Sequence, residues 1–179
     1  MNKLFFLTLI LVAIGCKSPE ARRPISVKTG SFIDASVERN KKLNAKEQLR
    51  IEKIIQQQKD KHFIASANGF WYYYQTKIEA DSILPPQFGD LINYNYNVKS
   101  LNGNVIYSTE TIDTLTYVMD KQELFTGLRE GLKLMKTGET VTFIFPSQKA
   151  YGYYGDGDKI GGNIPLICDV TVNSITPKN

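Results

Sequence analysis

Histidine and cysteine are nearly missing from this chain. Its 179 residues include one His, His62, and two Cys, Cys16 and Cys168. A histidine-based triad or a multi-histidine metal site must use His62 or cannot exist. Two cysteines exclude a disulfide-dense scaffold. Long apolar runs are lacking too. Residues 4–14 form an apolar run of eleven interrupted by Thr8, short of the roughly 20 needed to span a bilayer. Charge of one sign is not strong either. Lys+Arg exceeds Asp+Glu by 22 to 18, and +4 is too mild to indicate nucleic acid. There is no GxSxG elbow and no P-loop. The string GDGDKIG at residues 155–161 imitates two motifs and satisfies neither. A dinucleotide fingerprint follows a strand and opens a helix, whereas this loop leads into a strand. A calcium loop starting at Asp156 needs Glu at position 167, where Ile167 stands. No metal and no nucleotide is expected.

Aromatic residues, by contrast, are plentiful. Ten Tyr, nine Phe and one Trp rule out wholesale disorder.

The N-terminus, MNKLFFLTLILVAIGC, has Lys3 before its apolar run and small residues after it. It reads as a secretory signal over residues 1–15. Small residues before Cys16 resemble a bacterial lipobox, with Ala13 where Leu is usual. The resemblance implies that Cys16 is acylated and becomes the first mature residue. Each buried CH₂ of an acyl chain contributes ~0.8 kcal/mol to membrane residence. The expectation is an exported lipoprotein on the periplasmic face of a bacterial membrane, the outer rather than the inner. Acylation of Cys16 leaves Cys168 without a disulfide partner.

Residues 17–62 hold twelve Lys/Arg and six Asp/Glu, while residues 63–179 hold nine and twelve. The positive excess therefore sits next to the proposed lipid. Pro19, Pro24 and Gly30 mark residues 17–30 as an extended linker. Ile33 and Val37 suggest a helix near residues 32–42. Asn44 and Glu47 have capping-box spacing, so a second helix is expected over about residues 45–60. Its stripe of Ile51, Ile54 and Ile55 is narrow. Either the stripe is a docking or dimerisation surface, also suited to anionic lipid, or the helix is a solvated spacer packing lightly on the domain. The spacer is the simpler reading.

Residues 63–179 read as an α+β domain, an antiparallel sheet over one short helix, preceded by the helical stalk of residues 16–62. Strands are expected at 70–78, 91–98, 105–108, 115–119 and 140–145, with a last one through Cys168, Val170 and Val172. Ile92, Tyr94, Tyr96 and Val98 alternate with Asn93, Asn95 and Asn97, a period of two with one buried face. Asn102-Gly103 marks a tight hairpin turn. Leu124, Leu128, Leu132 and Met135 share one helical face, and Thr137-Gly138 ends that helix. Residues 150–165 form a long glycine-rich loop, a common place for function. Everything the sheet and helix need lies within 63–179, so that fragment is expected to fold alone.

The string KQELFTGLREGL at residues 121–132, Ala150-Tyr151-Gly152 and the final Asp169-Val170 strand resemble the FKBP family of peptidyl-prolyl isomerases. The resemblance covers about residues 63–176. The full chain, with ARRPI at residues 21–25, is similar to lipoprotein members associated with gliding motility in Bacteroidota. The resemblance implies prolyl isomerase activity on proline-containing client polypeptides. It implies membrane attachment through Cys16 and other gliding-machinery proteins as partners. It also implies site residues. Tyr96 lines the pocket, and Ile106 stands where Phe is usual. Leu115 and Tyr117 follow from the next strand. Leu124 and Phe125 form the entrance to the helix, with the Phe125 N–H on a substrate carbonyl. Leu128 is the floor, where many members have Trp. Tyr151 offers its hydroxyl to substrate. Ile160 comes from the long loop, and Cys168 replaces a usual Phe. Tyr107 stands where an Asp is common, and Gly161 and Gly162 replace paired prolines. These departures argue against binding of macrolide immunosuppressants.

This chemistry needs no cofactor, proton donor or nucleophile. Rotation about a peptide bond costs ~18–20 kcal/mol because it destroys C–N resonance. The planar amide is the more polar form, so an apolar pocket disfavours it relative to the twisted one. Each tenfold acceleration takes only ~1.4 kcal/mol of such differential binding. The same apolar residues could equally be plain core.

Overall fold

The computed structural model describes residues 30–80 and 82–178. The signal run, Cys16 and most of the 17–30 linker lie outside the described residues. Among the described residues, those from Arg39 onward form one compact unit. Among the described residues, no helix is long and apolar enough to cross a membrane.

Helix α1 spans Gly30–Gln57. The helix expected near residues 32–42 and the second one expected to start after Asn44 are one. No Gly or Pro falls between residues 31 and 57, and an interior Asn costs only about 0.7 kcal/mol relative to Ala. Asn44 does not cap, and its Nδ2 donates to Gln148 Oε1 at 3.3 Å. The stripe is also more than lightly packed. Ile51 is fully buried with Leu101 and Ile144, and Ile54, Ile55, Phe63, Trp71 and Ile167 pack around them. Glu47 and Ile51 are four residues apart on the same helical face and are both buried.

Eight strands are present among the described residues: β1 (Ile64–Ala65), β2 (Trp71–Thr76), β3 (Leu91–Tyr96), β4 (Val98–Ser100), β5 (Val105–Tyr107), β6 (Leu115–Val118), β7 (Thr140–Phe145) and β8 (Leu166–Thr176). They form one antiparallel sheet in the order β1-β2-β7-β8-β3-β6, with β4 paired to β8 and β5. The alternating residues fix which face is buried. Ile92, Tyr94 and Tyr96 of β3 and Leu166, Cys168, Val170 and Val172 of β8 enter one core. Strand β7 is buried on both faces. Val141, Phe143 and Phe145 join that core, Ile144 meets the α1 cluster, and Thr142 Oγ1 donates to Asp169 Oδ1 at 2.7 Å.

The expected strand at 91–98 breaks at Asn97. Its Nδ2 donates to Asp169 Oδ2 at 3.0 Å and its Oδ1 accepts from the Asp169 N–H at 3.0 Å. Residues 98–100 then turn into β4, which forms a hairpin with β5 through Asn102-Gly103, where Gly103 has φ +86°. A bulge between Asn93 and Tyr94 skips Asn173 on β8. The freed Asn173 Nδ2 donates to Asn93 Oδ1 at 2.8 Å and Asn95 Oδ1 at 2.6 Å.

Helix α2 is a single turn, Thr109–Ile112, capped by Ser108. Helix α3 is Thr126–Leu132, much shorter than the leucine spacing suggested. Leu124 precedes it and Met135 follows it. Phe125 is extended (φ −60°, ψ 141°) and Lys133 ends the helix. Its seat on the sheet depends on two glycines. A Cβ at Gly127 would lie 2.5 Å from a Phe145 ring carbon and 2.7 Å from the Lys149 carbonyl oxygen. A Cβ at Gly131 would lie 3.0 Å from the Phe143 ring. Phe143 and Phe145 stack at 5.3 Å, within 10° of parallel, and α3 rests on that flat platform.

Candidate functional site

The residues singled out by the sequence converge on one place. Tyr96 from the end of β3, Tyr117 from β6, Leu128 from α3, Ile160 from the long loop and Cys168 from β8 are buried in one apolar cluster. Ile106 and Tyr107 of β5, Leu115 of β6, and Leu124, Phe125 and Tyr151 are partly buried against it.

Phe125 and Tyr151 form its open edge. Their ring centroids are 5.1 Å apart at 46°, and Phe125 meets Phe145 edge-on at 5.5 Å. Together with Gln122, Glu123, Leu124 and Arg129 they line a cleft of about 590 Å³. The Phe125 carbonyl accepts from the Arg129 N–H at 3.1 Å, closing the first turn of α3. Its own N–H is not required by the helix.

Electrostatically the site is neutral at its centre. Burial pushes the Tyr96 and Tyr151 hydroxyls up, and each acts on the other: the contact raises Tyr96 and offsets part of the rise at Tyr151. Burial, then the neighbouring Asp169 carboxylate, push the Cys168 thiol up as well. A thiol so disposed is not a nucleophile. Beside Arg129 of the cleft wall, Lys133 Nζ lies 3.0 Å from Asp120 and 3.1 Å from Glu130, and Arg129 Nε is 3.5 Å from Glu130. His62 is exposed. Among the described residues no cluster of three His, Cys, Asp or Glu could hold a metal ion. The arrangement can enclose an apolar group and offer phenol hydroxyls and backbone amides to a carbonyl.

The long loop is shaped from within. Asp156 Oδ1 accepts from the N–H groups of Asp158 and Ile160, both at 2.9 Å. Gly155 has φ +75°, and a Cβ there would collide with the Ile160 carbonyl; one at Gly162 would collide with that of Tyr153. Ile160 is thereby turned inward. Sequence reasoning missed Asp156 as the organiser of this loop, and Gln122, Glu123 and Arg129 as cleft walls. The first had a signal, since an Asp-Gly-Asp string is turn chemistry.

The FKBP-type peptidyl-prolyl cis-trans isomerase model matches residues 84–173. A probable FKBP-type peptidyl-prolyl cis-trans isomerase, FkpA, of Neisseria meningitidis serogroup B is 33% identical over 96 residues, covering 52% of this chain and 35% of that protein. A probable FKBP-type isomerase of Haemophilus influenzae is 30% identical over 122 residues, covering 68% of this chain and 48% of that protein. The chain thus spans less than half the length of these two curated relatives. The crystal structure of FkpA from Escherichia coli has the same fold, with a TM-score of 0.60 at 24% identity over 99% of this chain and 83% of that one. A peptidyl-prolyl isomerase structure from Pseudomonas syringae gives a TM-score of 0.60 at 19% identity, over 76% of this chain and 96% of that one. The matched segment, residues 84–173, takes in half the chain, helix α3, the long loop and every pocket residue named above, and the chain belongs to the FKBP-type peptidyl-prolyl cis-trans isomerase family.

Proposed function

We propose that this chain accelerates cis–trans isomerisation of X–Pro bonds in exported polypeptides, while held on the periplasmic face of a bacterial membrane by acylated Cys16. The observation that carries the reading is the Phe125–Tyr151 wall, 5.1 Å between ring centroids, standing at the edge of an uncharged apolar cluster in a family of prolyl isomerases. The proline ring enters beside Tyr96, Phe125 and Tyr151. Ile106, Tyr107, Leu115, Tyr117, Leu124, Leu128, Ile160 and Cys168 keep water from the amide. The twisted amide is less polar than the planar one and loses less on desolvation. The Phe125 N–H holds a client carbonyl while the bond turns.

The test is a prolyl-peptide isomerisation assay on the full chain in detergent. Acceleration that Phe125→Ala and Tyr151→Phe reduce supports the reading. No acceleration overturns it. Mass spectrometry of the mature protein tests the anchor separately: an N-terminus other than an acylated Cys16 refutes it.

A second reading is a weakly catalytic binding module within a surface complex such as the gliding machinery. Tyr153 and Tyr154, 71% and 89% exposed just after Tyr151, favour it, since exposed aromatics suit unfolded chains. Client binding without acceleration would select it.

A further inference from the structure

Glu47 is a buried carboxylate that the isomerase reading does not use. It is 8% exposed and lies on α1, outside the matched family segment. Both its oxygens face one residue of the domain. Oε2 accepts from the Ser147 N–H at 2.9 Å, and Oε1 accepts from the Ser147 hydroxyl at 2.7 Å. Ser147, itself 2% exposed, opens the 3₁₀ turn Ser147–Lys149 that leads into Tyr151. Its carbonyl accepts from the N–H groups of Ala150 at 3.1 Å and Gly152 at 2.9 Å. Those two amides flank Tyr151. One end of Ser147 is therefore fixed by α1, and the other end fixes the backbone on both sides of Tyr151.

A buried carboxylate is costly unless its hydrogen bonds are satisfied. Two short bonds to a single residue meet that need only while Ser147 keeps this position. The same position sets where the Tyr151 ring meets Phe125. We infer that Glu47 is a positioning residue for the prolyl isomerase site: it holds the Ser147 turn so that Tyr151 is presented to the client. This rests on the isomerase reading of the site, and it gives the helix before the domain a part in its chemistry.

The experiment compares Glu47→Ala, Glu47→Gln and Ile51→Ala in the full chain, with kcat/KM, urea stability and amide hydrogen exchange measured on each. Ile51→Ala loosens the same helix against the same sheet without touching Ser147, so it controls for stability. Gln is isosteric, and its amide can accept from the Ser147 N–H and donate to the hydroxyl. The expected result is a kcat/KM about fivefold to tenfold lower in Glu47→Ala, the size of one lost substrate hydrogen bond. Glu47→Gln and Ile51→Ala should stay within about twofold of wild type. The Gly152 amide should exchange faster in Glu47→Ala than in Ile51→Ala, while β8 amides track global stability in both. Equal kcat/KM in the two Ala variants, or a Gln variant as impaired as Ala, overturns the inference. If the wild type shows no acceleration, the isomerase reading fails by itself. Gly152 exchange then decides alone whether Glu47 holds the turn, and equal exchange in the two Ala variants overturns that as well.

Discussion

The hydroxyl of Tyr107 donates to Asp156 Oδ2 at 2.6 Å, joining strand β5 to the long loop. Asp158 Oδ2 lies 3.0 Å from the same hydroxyl, and the Lys159 N–H donates to it at 3.2 Å. The resemblance expected a carboxylate at position 107. Here the carboxylate comes from the opposite side, and a phenol reaches out to meet it. The bond to Asp156 raises Tyr107 to about 12. Burial works against the charged form of Asp156, yet the Tyr107 hydroxyl and the Asp158 and Ile160 amides outweigh it and lower its carboxyl. The signs follow. The phenol's contribution is present below its unfolded value near 10 and is lost as pH rises through about 12. The carboxylate's contribution is present above its unfolded value and is lost as pH falls through its lowered one. A difference tyrosinate titration between wild type and Tyr107→Phe should show one group near 12. A group with the ordinary value of about 10 would mean that the bridge does not form in solution.

Tyr151→Phe and Leu128→Ala should separate binding from packing. Tyr151 is partly exposed and Leu128 is fully buried. Loss of the hydroxyl should cost on the order of 1 kcal/mol in kcat/KM and leave the urea midpoint nearly unchanged. Leu128→Ala should cost ~2–4 kcal/mol of stability together with activity. If both variants lose only stability, Tyr151 is part of the core and not of the site.

Gly127→Ala should be worse than Gly131→Ala, although Ala is the better helix former by about 1 kcal/mol. At Gly127 the added carbon meets the Lys149 carbonyl at 2.7 Å, and backbone cannot step aside. At Gly131 it meets only the Phe143 ring at 3.0 Å. A loss of about 1–3 kcal/mol is expected at Gly127 from overpacking. Thermal melts of the two variants check the order, and a neutral Gly127→Ala would show that α3 can shift on its platform.

A fragment of residues 63–179 should be less stable than one of residues 39–179. It gives up the fully buried Ile51 and exposes Ile144 and Leu101. Burying such a side chain contributes roughly 2–3 kcal/mol, before the Ser147 bonds are counted. Matching urea midpoints would return α1 to the status of a spacer.

Strands and hairpin were readable because their evidence is local. Alternation in residues 91–98 and the Asn102-Gly103 turn need only neighbours in sequence. The ends of α3 were not readable. Leu124 and Met135 continue the apolar period beyond the helix, and the extended backbone of Phe125 that stops it leaves no mark in that period. The split of α1 failed for a sharper reason. Asn44 and Glu47 have the spacing of a capping box, yet Glu47 turns to Ser147, 100 residues away. A local pattern and a tertiary bond had drawn on the same side chain. The candidate site residues were named through resemblance, and the structure brings them together in one cluster. Glu47 escaped because its role lies in long-range bonds to Ser147, whereas Asp156 was missed despite the local turn signal of its Asp-Gly-Asp string.

Strand β8 pairs with β7, β3 and β4, and every one of them precedes it in the chain. A polypeptide delivered from its N-terminus therefore presents the neighbours of β8 before the strand that unites them. Until residues 166–176 arrive, β7 and β3 have unpaired edges, and Tyr96, Phe143 and Phe145 lack the face opposite Cys168 and Val170. Contacts this distant in sequence also make for slow closure. A protein that we propose to assist the folding of others has itself a native sheet that can close only when its last strand has been delivered.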